Sequence, residues 1–275
     1  MNGVQARAQP IIPAPAATVT LVRDGALGLE VLMLRRNLQS AFVPGQHVFP
    51  GGAVERSDAT AAMYARCAGL DDIAASCKLG VAFSGLAYWV AALRESFEEA
   101  GLLLARNGAG RPVEASVAAG LARHRVAVAA GKHSFEEMLR DAGLMLAADE
   151  LVYFSHWITP AGAPRRYDTR FFAALAPPGQ EPAHDNEETI ESLWLRPRDG
   201  VDRYLAGKFK LMTPTIHTLR LFAGYETAAA LLDALRALPE IPTIAPRIGR
   251  DGRRILPGEP GYDEAAAYES EVKWK

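Results

Sequence analysis

One stretch limits the fold of this chain more than any other: Arg94-Glu95-Ser96-Phe97-Glu98-Glu99-Ala100-Gly101-Leu102. On a helix, residues three and four apart share a face. Glu95, Glu98 and Glu99 therefore project to one side, with Arg94 beside them. Leu86, Trp89, Val90, Leu93 and Phe97 recur at the same spacing and mark the core-facing stripe of a helix over 86–100. Trp89 and Phe97 accordingly read as core, not site. Gly101 fits the position just past a helix end, where φ > 0 is common. Three neighbouring carboxylates repel one another unless something neutralises them, and one Arg cannot balance three. A hard divalent cation, Mg²⁺ or Mn²⁺, prefers carboxylate and water oxygens and supplies the missing charge. The competing reading is a solvated acidic helix face.

The rest of the chain supplies a framework for that helix. Its 275 residues, 49% apolar and 23% charged, are enough for one domain with a sizeable core. A net charge of −2 gives no basic field for nucleic acid. No apolar run is long enough to span a membrane, and residues 1–17 do not read as a signal peptide. Cys67 and Cys77 form no Cys-x-x-Cys motif and no disulfide framework. The expectation is a cytoplasmic protein.

In chain order, residues 1–17 read as a flexible Ala/Pro-rich lead-in. Strands are expected at 18–23 and 29–35, around the Asp24-Gly25 turn, and at 46–49. Pro50-Gly51-Gly52 then forces a tight turn with bare backbone. Residues 53–84 are polar and Ala-rich, with a short helix at 59–67. Helices at 112–130 and 134–142 follow the acidic helix, the second with Ser134 and Glu137 as a capping box. This pair reads as an insertion that covers a site or contacts a second copy of the chain. Strands at 151–158, 167–175 and 190–195 precede helices at 197–206, 214–222 and 226–238, with Thr213 capping the second. Residues 241–275 read as a surface wrap. Strands with irregularly interspersed helices make a mixed sheet in an α/β or α+β domain. His124 and His133 read as surface residues, and His156 as structural.

Gly52, Asp58 and residues 94–102 together resemble the Nudix box, which runs Gly, five residues, Glu, seven residues, then Arg-Glu-apolar-x-Glu-Glu-x-Gly-apolar. Three departures stand out. The first acid is Asp58 rather than Glu, 35 residues separate Asp58 from Arg94, and Ser96 takes a position that is usually bulky and apolar. Such an interrupted box resembles that of the animal Nudix-type motif 19 proteins, which are coenzyme A and acyl-coenzyme A diphosphatases. Residues 31–52, ending His47-Val48-Phe49-Pro50-Gly51-Gly52, look like the segment that precedes the box in coenzyme A-cleaving members. Residues 159–172, 185–194 and 211–221 look like that branch's middle and closing segments.

The resemblance implies a Nudix α/β/α sandwich over 18–240, with insertions at 53–84 and 103–146 and an extension at 241–275. It implies hydrolysis of a nucleoside diphosphate derivative, first coenzyme A or its thioesters, then ADP-ribose or a dinucleotide. A non-catalytic nucleotide-binding domain is the third reading. Carried over, Glu95, Glu98 and Glu99 would hold the Mg²⁺ or Mn²⁺, with the carbonyl of Gly51 or Gly52 nearby, and Arg94 would orient the glutamates. A further loop acid, Glu188 first and Glu187 second, would take a proton from water. Arg165, Arg166 and Arg170 are the candidate phosphate clamp, since Arg forks match phosphate oxygens, and Arg35 would reach the same pocket. Arg247, Arg250, Arg253 and Arg254 read as solvated tail rather than a 3′-phosphate contact.

Overall fold

The computed structural model describes residues 11–39, 44–184 and 189–271. The first half contains strands β1 (Ala14–Gly25), β2 (Gly28–Arg36), β3 (His47–Val48) and β4 (Gly51–Ala53), then helices α1 (Ala61–Tyr64), α2 (Asp72–Leu79) and α3 (Leu86–Ala100). The short strands β5 (Ala105–Arg106) and β6 (Met145–Leu146) pair with each other and bracket α4 (Ala115–Leu121), α5 (Arg125–Ala129) and α6 (Phe135–Asp141). The second half adds β7 (Val152–Ile158), β8 (Tyr167–Leu175) and β9 (Thr189–Leu195), then α7 (Pro197–Leu205), α8 (Thr213–Phe222) and α9 (Ala228–Arg236). The C-terminal part carries β10 (Thr243–Ile244), β11 (Arg247–Ile248), β12 (Arg254–Ile255) and α10 (Tyr262–Glu271).

A mixed sheet runs β10-β7-β8-β1-β2-β3, with β4 added to β1 and β9 to β2. β1 lies parallel to β8 and antiparallel to β2 and β4. The central strands are buried on both faces, which is why Val31-Leu32-Met33-Leu34 is a continuous apolar run rather than an alternating one. Leu32 and Leu34 pack on the α3 side, and Val31 and Met33 on the side of α8 and α9. This is the expected α/β/α sandwich. Trp89 and Phe97 are core as expected, with the Trp89 ring 4.6 Å from Phe172.

β1 parts company with β2 along its length. Residues 22–25 of β1 pair with β2, whereas Ala16–Thr18 pair with β4. That fork brings the Pro-Gly-Gly turn against α3.

Several expectations need correction. The first strand begins at Ala14, inside the stretch read as lead-in. The helix expected over 59–67 is only Ala61–Tyr64, and α2, not foreseen, follows it. Asp72 of α2 caps α3, its carboxylate accepting from the backbone N–H groups of Ser84 and Leu86, so this insertion is structural. The helix expected over 112–130 is broken by a tight turn at 122–124, after which Arg125 is buried while His124 is not. Thr213 lies inside α8, behind Met212, and its hydroxyl accepts from Arg254 instead of capping. The tail is more ordered than a wrap, since β10 extends the sheet at β7. Among the described residues, no helix is long and apolar enough to cross a membrane.

Candidate active site

The site is built on the last two turns of α3. All of this helix except Glu95 is buried, so its acids sit in low-dielectric surroundings. Its end is closed by Gly101 at φ 71°, whose N–H bonds to the carbonyl of Phe97 while that of Leu102 bonds to Ser96. Ser96 repays the unusual choice of a hydroxyl here by donating back to the Leu102 carbonyl at 3.0 Å. The helix end is thus locked where the glutamates project.

Arg94 is the hub. Its Nε and Nη2 donate to Asp58 at 2.9 and 3.1 Å, and Nη1 donates to Glu95 at 2.9 Å and Glu98 at 3.0 Å. Nη2 also reaches the Ala53 carbonyl at 3.0 Å. A guanidinium has five N–H groups, and these bonds use all of them. Asp58 is fully buried and also accepts from the N–H of Glu55. Asp58, the first acid of the interrupted box, joins the two separated halves of the motif. Burial pushes its carboxyl upward, against the pull of Arg94.

Glu98 is raised to about 7, chiefly by burial, with Arg94 opposing and Glu95 adding repulsion. Glu99 accepts from the Gly51 N–H at 3.0 Å and lies 3.8 Å from Nη1 of Arg36. Gly52 sits so close that an added Cβ would stand 2.3 Å from Oε1 of Glu95. The turn therefore needs glycine for close approach, not for φ.

Four carboxylates (Asp58, Glu95, Glu98 and Glu99) thus face two guanidiniums, those of Arg94 and Arg36. With all four ionised, the form a cation requires of its ligands, the surplus is two negative charges on hard oxygen donors, which fits a hard divalent cation. The glutamates are held by Arg94 and the Gly51 amide, and among the described residues no three acidic, His or Cys side chains are already drawn together as a ligand set.

Glu95, Glu98 and Glu99 open into a cavity of about 470 Å³. Arg36, Arg165 and Arg254 line it, opposite an apolar wall that includes Phe49, Trp157 and Met212. The expected Arg set is therefore replaced in part. Arg35 points to the other face of β2 and pairs with Glu191. Arg166 lies before β8 and ties Thr159 and Ile11 through their carbonyls. Arg170 is buried beneath Tyr88 and paired with Asp168, because β8 turns Tyr167, Thr169 and Phe171 toward the cavity and the even positions away. Strand parity could have identified Arg36, which continues the Leu32, Leu34 face. His156 is structural, bonded to Thr243 and Asp168.

Glu187 and Glu188 lie outside the described residues. Their flanks meet α3: the Ala183 N–H donates to the Ala100 carbonyl at 2.9 Å, and the Thr189 hydroxyl to that of Glu99 at 3.5 Å. Arg125 was missed. Its Nε and Nη2 donate to the Glu98 carbonyl at 3.1 and 2.8 Å, so the 103–146 insertion grips α3 from behind. Its partner is backbone, which leaves no sequence signal.

Comparison with known proteins agrees with this geometry. The family model of the NUDT19 Nudix domain matches residues 77–222. Acyl-coenzyme A diphosphatase NUDT19 of Gallus gallus is 30% identical over 297 residues, covering 90% of this chain and 77% of that protein. A nudix hydrolase of Caenorhabditis elegans is 34% identical over 196 residues, 69% of this chain and 54% of that protein. The match thus spans about half the length of the worm relative. A crystal structure of a NUDIX hydrolase from Alicyclobacillus acidocaldarius superposes with a TM-score of 0.64 at 31% identity, covering 83% of this chain and 99% of that one. With the interrupted box closed by Asp58 and Arg94 and the fold shared across nearly the whole of that structure, the chain belongs to the Nudix hydrolases, in the NUDT19 branch.

Proposed function

We propose that the protein is a divalent-metal-dependent diphosphatase that cleaves coenzyme A or acyl-coenzyme A to a phosphopantetheine product and adenosine 3′,5′-bisphosphate. One observation carries the reading: the glutamate face of α3 opens into a cavity that holds, besides Arg94, three further arginines and an apolar wall. Carboxylates gather cations, the arginines match phosphate oxygens, and the apolar wall suits a pantetheine or acyl arm. The NUDT19 relatives, named acyl-coenzyme A diphosphatases, support the substrate class.

Glu95, Glu98 and Glu99 would hold Mg²⁺ or Mn²⁺, which when bound polarises the phosphoryl oxygen and lowers the pKa of water. Arg94 keeps Glu95 and Glu98 aimed, and the Gly51 N–H fixes Glu99. Arg36, Arg165 and Arg254 offset substrate charge. Glu188 is the residue we assign to accept the proton of the attacking water.

The test is turnover by purified protein with Mg²⁺ and a panel of coenzyme A, an acyl-coenzyme A and ADP-ribose. Glu98→Gln should lower turnover about a hundredfold or more while the protein stays folded. Undiminished turnover in that variant would refute the metal site. Turnover of ADP-ribose with coenzyme A untouched would remove the substrate assignment.

A further inference from the structure

A second cavity, of about 300 Å³, opens on the other face of β2. Arg35 and Arg36 are adjacent on a strand, so their side chains take opposite faces. Arg36 lines the diphosphatase cavity and Arg35 the second one. Arg203, Lys208 and Lys210, from α7 and the segment after it, join Arg35 there. Among the described lining residues, one acid stands against these four cations: Glu191, 3.6 Å from Nη1 of Arg35. Four less one leaves three positive charges, in a chain whose net charge is −2.

The cavity also has a built floor. The His47 ring stacks on Phe209, with centroids 3.7 Å apart and planes 14° from parallel, and the Arg203 guanidinium lies 5.2 Å above Phe209. His47 is only 7% exposed. Burial holds its pKa below the ordinary value, so the ring is neutral at pH 7. Its Nδ1 is buried without a hydrogen-bond partner, as is Nε of Arg35. Buried polar atoms are nearly always paired, and a guanidinium nitrogen can only donate, so Nε of Arg35 lacks an acceptor beside the basic cavity. A doubly charged tetrahedral oxyanion meets both the charge surplus and the need for acceptor oxygens.

We propose that this cavity is a second anion site, which takes a phosphate or phosphomonoester group on Arg35, Arg203, Lys208 and Lys210. It lies across the strand from the glutamates and needs no metal. Its ligand is either free phosphate or a nucleoside monophosphate.

The experiment titrates the full chain, in chelator, with inorganic phosphate and separately with adenosine 5′-monophosphate, following thermal unfolding and calorimetry. Sodium chloride at equal ionic strength is the control. The arginines of the first cavity also attract anions, so the paired substitution at Arg203 and Lys210, which spares them, assigns the signal to the second cavity. Saturable binding beyond the chloride control is expected, weakened at least tenfold by Arg203→Ser with Lys210→Ser and retained in Glu98→Gln. Those two positions are exposed, so the variant folds. Tenfold tighter binding of the nucleotide identifies a nucleotide ligand, and equal affinities identify free phosphate. No saturable binding, or an unchanged constant in the double variant, overturns the proposal. Binding here does not depend on diphosphatase activity, so the two readings fail separately.

Discussion

Replacing Asp58 with Ala probes the joint on which the site depends. Arg94 and Asp58 are both almost wholly buried, and their two bonds are 2.9 and 3.1 Å long. Removing one partner of a buried ion pair costs about 3–5 kcal/mol, because the other charge is left uncompensated. Arg94 keeps three bonds, to Glu95, Glu98 and Ala53, which places the loss near the lower end, about 3 kcal/mol. For a domain of this size each kcal/mol shifts Tm by about 2–4 °C, so Asp58→Ala should unfold roughly 6–12 °C earlier. The assay is thermal unfolding by circular dichroism in chelator, so that no bound cation masks the loss. Asp58→Glu, which restores the acid usual in the Nudix box, should retain most of the stability. Asp58→Leu combined with Arg94→Met should not recover the stability lost in Asp58→Ala, since Glu95 and Glu98 then lose their guanidinium, and it should be inactive. A Tm within about 3 °C of the parent for Asp58→Ala would mean the pair behaves like a surface bridge, and the reasoning would fail.

Three further outcomes follow from the same geometry. Arg125→Met removes two charge-assisted bonds to the Glu98 carbonyl and should cost about 2–3 kcal/mol in denaturant unfolding, while Arg125→Lys loses less; equal stability of all three would contradict the bracing role. Gly52→Ala should leave unfolding within about 1 kcal/mol, because the clash meets the mobile end of Glu95, but should lower metal-dependent turnover at least tenfold. In metal-free protein, Glu98 titrates near 7, above the ordinary carboxyl value of 4.5. The folded state then holds a proton that the unfolded chain has released, so this group's contribution to stability falls as pH rises from 4.5 to 7. Denaturant unfolding of the parent minus that of Glu98→Gln should decline across that window, and a flat difference would deny the raised pKa.

Local chemistry explains which parts were legible in the sequence. The acidic helix was read at its true bounds because its periodic stripe, terminal Gly101 and charged face all agree. β8 was read at its bounds because Tyr167, Thr169, Phe171 and Phe172 are strand formers within one nine-residue run. Gly51 and Gly52 were readable as bare backbone but not as the partners of Glu99 and Glu95, since those contacts close over more than forty residues. Asp58 looked like any loop acid until tertiary structure buried it. Arg165 lines the cavity, whereas Arg166 falls just outside β8 and Arg170 faces away, and only strand boundaries settle parity. Arg125 carries no periodicity or motif at all, and its role exists only through a backbone carbonyl of another element.

The 35 residues between Asp58 and Arg94 have an implication for how such motifs tolerate growth. Closing a flexible loop of 35 residues rather than seven costs only about 1.4 kcal/mol in chain entropy. Removing one partner of the buried carboxylate–guanidinium contact costs more than that, so the joint rather than the spacing is what the motif cannot lose. Lengthening at this point is therefore nearly neutral for the chemistry and adds raw material, such as the Asp72 cap on α3, for later ornament. Searches that enforce spacing would overlook such chains, whereas searches that look for the Asp–Arg handshake in space would find them.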